Sequence, residues 1–273
     1  MTVKASRQLT LENHLRNALS NDEFYLNVQP QYNSQRRLIG AEILLRWESP
    51  AVGPVVPAEF IPVLESTGMI FQVGEWVIRK TCEQIKAWLD LGICDSNLNI
   101  AVNISPRQFR QPNFVNFVAK ILQESQIPHG HLCLEITEGM VLHNIDEIVD
   151  KLKRLRALGV TVSIDDFGTG YSSLSYLKRL PIDTLKIDQS FIRGLPNDGD
   201  DAAIVTAVIA IAKQLNLQVI AEGVENQQQI RFLEANDCPN FQGFFFGKPM
   251  LLSQFELLLS DSVSLVVNSS RLN

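Results

Sequence analysis

Cysteine is scarce and its spacing is uninformative: Cys82, Cys94, Cys133 and Cys238 lie far apart and form no CxxC pair. In a chain of 273 residues that argues against a disulfide framework. Reduced thiols are the default of a cytoplasmic protein, the location expected here. Histidine offers no zinc chemistry, because His14, His129, His131 and His143 lack HExxH-type spacing, and the His129–His131 pair reads as an exposed turn. No apolar run approaches the roughly 18 residues of a membrane-crossing helix. The opening MTVKASRQLTLENHLRNAL lacks the apolar block and small residues of a signal peptide. Positive charge is also in deficit. The formal net charge of −6 argues against a broad surface for a DNA or RNA duplex. A small phosphate-bearing ligand is still compatible, since bound divalent cations reverse the local sign.

What the chain has in quantity is short apolar runs rich in Val, Ile, Leu and Phe. Eight read as buried strands: Phe24–Gln29, Leu38–Trp47, Leu98–Ser105, Leu132–Thr137, Val160–Asp165, Asp183–Asp188, Leu217–Glu222 and Phe241–Phe246. Helical patterns lie between most of them, among them Glu75–Leu91, Ile145–Leu158, Asp201–Leu215 and Asn226–Ala235. Strands alternating with helices predict a largely parallel sheet. The first pair is separated only by the polar stretch Pro30 to Arg37, containing Asn33-Ser34-Gln35, too short for a crossover helix. It predicts an antiparallel hairpin. The expected fold is therefore α/β, a (β/α)8 TIM-like barrel with an antiparallel first strand. An open doubly wound sheet is the alternative, without a GxGxxG to support it. No linker or internal repeat divides the chain. A lead-in helix is expected over residues 1–22, with Leu9, Leu11, Leu15 and Leu19 near one face, then one domain over 23–260 and a polar, fraying tail over 261–273.

The acidic residues recur in one place. Carboxylates or their partners fall within or near the C-terminal ends of successive strands: Glu42, Asn103, Glu135, Asp165 with Asp166, Lys186 with Asp188, and Glu222. Charge inside a buried strand needs a partner or a metal, and in a parallel barrel those ends share one mouth. Strand alternation puts Glu42, Leu44 and Arg46 on one face, and Lys186 with Asp188 on another. Arg46 suits phosphate through its planar fork of donors. An oxygen-rich set favours hard cations, Mg²⁺ or Mn²⁺. Adjacent Asp165 and Asp166 could serve two ions, a recurring arrangement for phosphoryl hydrolysis. The Asp166-Phe167-Gly168 triplet matches the kinase magnesium motif, but its companion motifs are missing. Gly168 and Gly170 read as turn residues, with Ser172 or Ser173 capping the next helix.

Taken in order, Glu42-Ile43-Leu44-Leu45-Arg46-Trp47, Asn103-Ile104-Ser105, Glu135-Ile136-Thr137-Glu138, DDFGTGYSSL from Asp165, Lys186-Ile187-Asp188, Ala221-Glu222-Gly223-Val224-Glu225 and Gln242-Gly243 resemble the EAL domain family, from about Phe24 to Pro249. The resemblance implies hydrolysis of cyclic di-GMP to linear pGpG with Mg²⁺ or Mn²⁺. It implies Glu42, Asn103, Glu135, Asp165 and Asp166 as metal ligands, Glu222 as a further ligand or base, and Lys186 as the group that orients and activates water. Gln29, Leu44, Arg46, Asp188 and Gln242 would line the nucleotide site. Glu138 would prop the DDFGTGYSS loop, a usual contributor to homodimer contacts, and Glu225 would support the site from behind. The opening helix is similar to the lead-in that follows a GGDEF domain in longer proteins of this kind, so an upstream GGDEF or sensory domain and a free-standing chain are both compatible.

The sequence departs from the family pattern at three places. Ile43 replaces the usual Ala, Val28 stands where Tyr commonly precedes Gln29-Pro30, and Asp237-Cys238 replaces Gly-Cys. Ile43 should face the helical layer, where overpacking costs roughly 1–3 kcal/mol unless neighbours compensate. None of the three removes a proposed ligand. The competing readings are a catalytically inactive cyclic di-GMP receptor of the same fold and an unrelated barrel enzyme acting on a sugar phosphate.

Overall fold

The computed structural model describes residues 2–94, 98–142, 144–170 and 174–270. Ten strands form one sheet: β1 Phe24–Asn33, β2 Leu38–Ser49, β3 Gly53–Val55, β4 Asn99–Asn103, β5 Leu132–Thr137, β6 Thr161–Phe167, β7 Thr184–Ile187, β8 Gln218–Ala221, β9 Asn240–Gln242 and β10 Met250–Leu251. Eight of them close a barrel in the order β1-β2-β4-β5-β6-β7-β8-β9 and back to β1. β1 is antiparallel to both β2 and β9, and all other neighbours around the ring are parallel. The fold expected from the alternation is thus the fold observed, its hairpin included. Asn33 closes that hairpin, its side-chain oxygen accepting from the backbone N–H groups of Gln35 and Arg37.

Period-two alternation sorts the strand residues into two sets. Val28, Ile43, Val102, Leu134, Ile164, Leu185, Val219 and Phe241 are buried between the sheet and the surrounding helices. Burying each large side chain of this kind stabilises by about 1.5–3 kcal/mol. Ile43, at the position where the family pattern has Ala, belongs to this apolar layer. The opposite set faces the lumen and is polar: Gln29, Gln31, Glu42, Glu135, Ser163, Lys186, Asn240 and Gln242 are all buried. Barrel interiors are ordinarily filled by branched aliphatics. Here the lumen is a polar core, and its cost has to be met by pairing.

Several boundaries differ from the sequence reading. The last run, Phe241–Phe246, shrinks to Asn240–Gln242. A Cβ on Gly243 would lie 2.2 Å from the backbone N and O of Val224, so the chain turns against that loop. The His129–His131 pair is not an exposed turn as a whole. His131 is buried, with Nδ1 2.8 Å from the Leu98 carbonyl, while His129 is exposed. In the lead-in helix Thr2–Ala18, the buried residues are Leu11, Leu15 and Ala18, whereas Leu9 is 59% exposed. Helix Leu252–Ser270 runs from the end of the barrel into the stretch expected as a tail, and it docks upstream of that stretch, through Phe255 on Trp88 and through Glu256, which accepts from Trp88 Nε1 at 3.1 Å. Residues 271–273, and the proposed caps Ser172 and Ser173, lie outside the described residues. No disulfide joins the four cysteines. Among the described residues, no helix is long and apolar enough to cross a membrane.

Candidate active site

Lys186, on β7, is the centre of the lumen. Its side chain is fully buried, and its Nζ lies 2.7 Å from Glu222 Oε1, 2.8 Å from Glu135 Oε2, 3.2 Å from Asp165 Oδ1 and 3.4 Å from Glu42 Oε2. These carboxylates come from β2, β5, β6 and the residue after β8, so four separate segments meet at one ammonium. Amides complete the cluster: Asn103 Nδ2 donates to Glu42 Oε1 at 2.5 Å, and Gln242 Nε2 donates to Glu42 Oε2 at 2.6 Å.

One cation among four carboxylates is a charge imbalance, and the proton affinities show it. Burial pushes the Glu135 carboxyl well above its usual range, which Lys186 only partly offsets. Burial likewise raises Glu222 to about 8, against the pull of Lys186. For Glu42, burial works in the same direction, but Lys186 and the Gln242 and Asn103 amides outweigh it and hold the group below the ordinary value. Lys186 itself is pushed well up: the surrounding carboxylates overcome a burial penalty that would lower it.

Asp165 and Asp166 are consecutive on β6, and in a regular strand they would point to opposite faces. The β6–β7 register shifts between Ile164 and Phe167, and Asp166 adopts a left-handed backbone with φ +54°. This bulge turns both carboxylates toward one place. Ligand oxygens of Asp165, Asp166 and Glu222 lie within 4.8 Å of one another. Asp165 Oδ1 is buried and, apart from the Lys186 ammonium 3.2 Å away, has no hydrogen-bond partner among the described residues. Burial and then the neighbouring Asp165 charge raise Asp166 to about 6. A hard divalent cation fits this donor set: the ligands are oxygens, negative charge is in excess, and one buried oxygen has a free coordination direction.

The remaining expected site residues are placed unevenly. Gln29 is buried beside the cluster, its Oε1 accepting from Gln242 Nε2 at 3.2 Å. Leu44 and half-buried Arg46 follow Glu42 along β2, with Arg46 Nη1 donating to the Leu45 carbonyl. Burial lowers the Arg46 pKa. Asp188 caps the short helix Gln189–Arg193, accepting from the Ser190 N–H at 2.9 Å, and its carboxylate lies close enough to help raise Asp166. Glu138 is buried behind the loop after β6, where the Gly168 N–H donates to its Oε2 at 3.0 Å. Glu225 is exposed, and its backbone N–H donates to Gln229 Oε1. The sequence reading stopped at Gln29 and missed Gln31. The latter is buried two residues further on the same face and donates to Gln242 Oε1 at 2.8 Å. Its i, i+2 spacing was the available signal. A cleft of about 840 Å³ opens at the opposite rim, lined by Asn99, Thr161, Thr184, Gln218 and Asn240 among others. Its lining also holds Asp183 and Asp237, but each is paired with its own cation, Arg156 and Lys213, and they do not converge as the carboxylates of the Lys186 end do.

Residues 12–249 match the family model described as the EAL domain. The chain is 46% identical over 255 residues to the bifunctional diguanylate cyclase/cyclic di-GMP phosphodiesterase MucR of Pseudomonas aeruginosa, covering 93% of this chain and 37% of that protein. It is 39% identical to the cyclic di-GMP phosphodiesterase PdeR of Escherichia coli, covering 94% of this chain and 38% of the relative. The chain therefore spans well under half the length of these curated relatives. A solved structure of the PaMucR phosphodiesterase in complex with cyclic di-GMP superposes with a TM-score of 0.86 at 45% identity, covering 90% of this chain and 99% of that one. The EAL domain of Mycobacterium smegmatis DcpA superposes with a TM-score of 0.76 at 38% identity, covering 88% and 98%. An eight-stranded barrel with a reversed first strand, a carboxylate cluster around one buried lysine and a match over nearly the whole chain give one assignment: this chain belongs to the EAL domain family.

Proposed function

We propose that the Lys186 rim hydrolyses cyclic di-GMP to linear 5′-pGpG. The observation that carries this reading is the convergence of Glu42, Glu135, Asp165 and Glu222 on buried Lys186, with Asp166 turned in beside them. Glu42, Asn103, Glu135, Asp165, Asp166 and Glu222 would hold Mg²⁺ or Mn²⁺, two ions by the number of donors. Bound cations would supply Lewis-acid stabilisation of the charge that builds on the diester.

The chain's own residues perform the remaining tasks. Lys186 orients the attacking water, because its ammonium is fixed by four carboxylates and has no rotamer freedom to lose. The water oxygen bonds to phosphorus as one P–O3′ bond breaks. The proton released by the water passes to a rim carboxylate, for which Glu222 beside Lys186 is placed, and solvent supplies the proton that the departing O3′ takes up. Arg46 would pair a phosphate and, with Gln29, Leu44, Asp188 and Gln242, line the nucleotide. Glu138 would hold the loop after β6 in place, and Glu225 would support the site from outside. A homodimer through that loop, and an upstream GGDEF or sensory domain, belong to the same reading.

The test is incubation with cyclic di-GMP and a panel of divalent cations, followed by chromatography for pGpG. Product with Mg²⁺ or Mn²⁺ is expected. Tight binding without product under every cation would instead identify a receptor, and absence of binding by calorimetry would overturn both readings. Sedimentation of the same sample measures the dimer.

A further inference from the structure

Inside the lumen, Gln29, Gln31 and Gln242 form a buried chain of side-chain amides. Its direction is chemically fixed. An ionised carboxylate and a backbone carbonyl only accept hydrogen bonds. Glu42 therefore obliges Gln242 to present its NH₂ group, which donates to Glu42 Oε2 at 2.6 Å and to Gln29 Oε1 at 3.2 Å. Gln29 in turn directs its own NH₂ to the Gly247 carbonyl at 3.1 Å. The Gln242 oxygen is left on the far side and needs a donor. Gln31 Nε2 provides it at 2.8 Å.

The barrel is built to admit this amide. Gly40 on β2 pairs with Gln31, and a Cβ there would lie 2.9 Å from Gln31 Oε1 and 2.6 Å from the Asn99 carbonyl. Any larger residue at position 40 would push on the amide and on the neighbouring strand. Gln31 also borders the cleft at the opposite rim, so this one side chain links the two ends of the lumen.

We propose that Gln31 is a positioning residue for the rim, holding the Gln242 amide in the one orientation that points its NH₂ at Glu42. The inference rests on the reading of Glu42 as a cation ligand. Without the Gln31 donor, the Gln242 oxygen is buried and unsatisfied, and half a turn of the amide would satisfy it less badly. A turned amide sets its oxygen against the Glu42 carboxylate. Glu42 would then swing away from the cation while Asn103 still holds its other oxygen.

A double-mutant cycle decides the matter. The full chain is prepared unaltered, as Gln31→Met, as Gln242→Leu and with both changes. Each is measured for Mn²⁺ affinity by calorimetry, for melting temperature, and for kcat and KM on cyclic di-GMP. Gln31→Met keeps the length and removes the donor, so Mn²⁺ affinity should fall about tenfold, as for other partners that orient a metal ligand. The kcat should fall with it while KM changes little. Added to Gln242→Leu, the Gln31→Met change should alter Mn²⁺ affinity by less than about twofold, since the residue it acts through is gone. An unchanged Mn²⁺ affinity in Gln31→Met, or equal losses in both backgrounds, would overturn the proposal. Gln31→Leu repeats the cycle should the Met variant not fold. Failure of the unaltered chain to hydrolyse cyclic di-GMP would sink the phosphodiesterase reading alone, because the Mn²⁺ affinities still report on Gln31.

Discussion

The two ends of the barrel are built from the same strands but carry opposite electrostatic solutions. At the floor, charges are matched one to one: Lys213 pairs with Asp237 at 2.7 Å and Arg156 with Asp183 at 2.8 Å, on partly or largely exposed side chains. At the rim, four carboxylates share one lysine with almost no solvent to screen them. The floor is charge-balanced without any ligand, whereas the rim is left in negative excess. Excess charge out of water costs folding free energy, and the rim retains it. Part of that excess is relieved by protons held on Glu135 and Glu222, and it is the feature that supports the proposed cation site.

The largest effect that would sharpen this contrast is at Lys186. Lys186→Met should abolish turnover and destabilise the cation-free protein by about 3–5 kcal/mol, because it strands buried carboxylates. Denaturant titration with and without Mg²⁺ checks it, and Mg²⁺ should recover part of the stability without recovering turnover. Next comes Glu42→Gln, which keeps the shape but loses a charged ligand, with kcat expected to fall at least about 100-fold. Steady-state rates over a Mn²⁺ series would expose an error if full activity returned at high Mn²⁺.

A third expectation concerns pH. Glu222 has a folded-state pKa raised to about 8, so the folded state holds this proton more tightly than the unfolded one. Stability from this group is then greatest at low pH and declines as pH climbs from about 4.5 toward 8. In EDTA, Glu222→Gln should therefore melt higher than the native chain at pH 9 and the same at pH 4. At roughly 2–4 °C per kcal/mol, a difference of several degrees is expected. Mg²⁺ should reverse the order at pH 9. A related, smaller effect is proton release on cation binding. Asp166 near 6 and Glu222 near 8 must lose protons to serve as ligands, so Mn²⁺ affinity should rise across that range. Calorimetry in two buffers of different ionisation enthalpy measures the protons released. Least of all, Lys213→Ala at the floor should cost under about 1 kcal/mol and leave turnover unchanged, as exposed pairs do. A large loss there would break the contrast between the two ends.

Much of this was legible in the chain. Short Val/Ile/Leu runs alternating with helical patterns, and a hairpin gap too short for a crossover, predicted the barrel with its reversed strand. Carboxylates recurring at strand ends located the rim. Other features were hidden. Gly243 cut the last strand short because of a contact with Val224, far away in sequence. His131 looked like half of an exposed pair, yet its ring is drawn inside by the Leu98 carbonyl. Helix Leu252–Ser270 is anchored on Trp88 and Gln84, partners some 170 residues away that its own sequence does not reveal.

Local chemistry therefore determined which segments became strands and which residue types could serve phosphate chemistry, because side-chain period and charge are properties of neighbouring residues. It could not determine that Asp165 and Asp166 face the same way. Strand alternation alone would separate them, and it took the slipped register against β7 and the left-handed backbone at Asp166 to unite them. Nor could it assign Gln31 a task, since the direction of an amide depends on which acceptor-only group lies at the other end of the chain of hydrogen bonds. Pairing of neighbouring strands supplied the first, and closure of the barrel supplied the second, by bringing into contact atoms that the polymer keeps some two hundred residues apart.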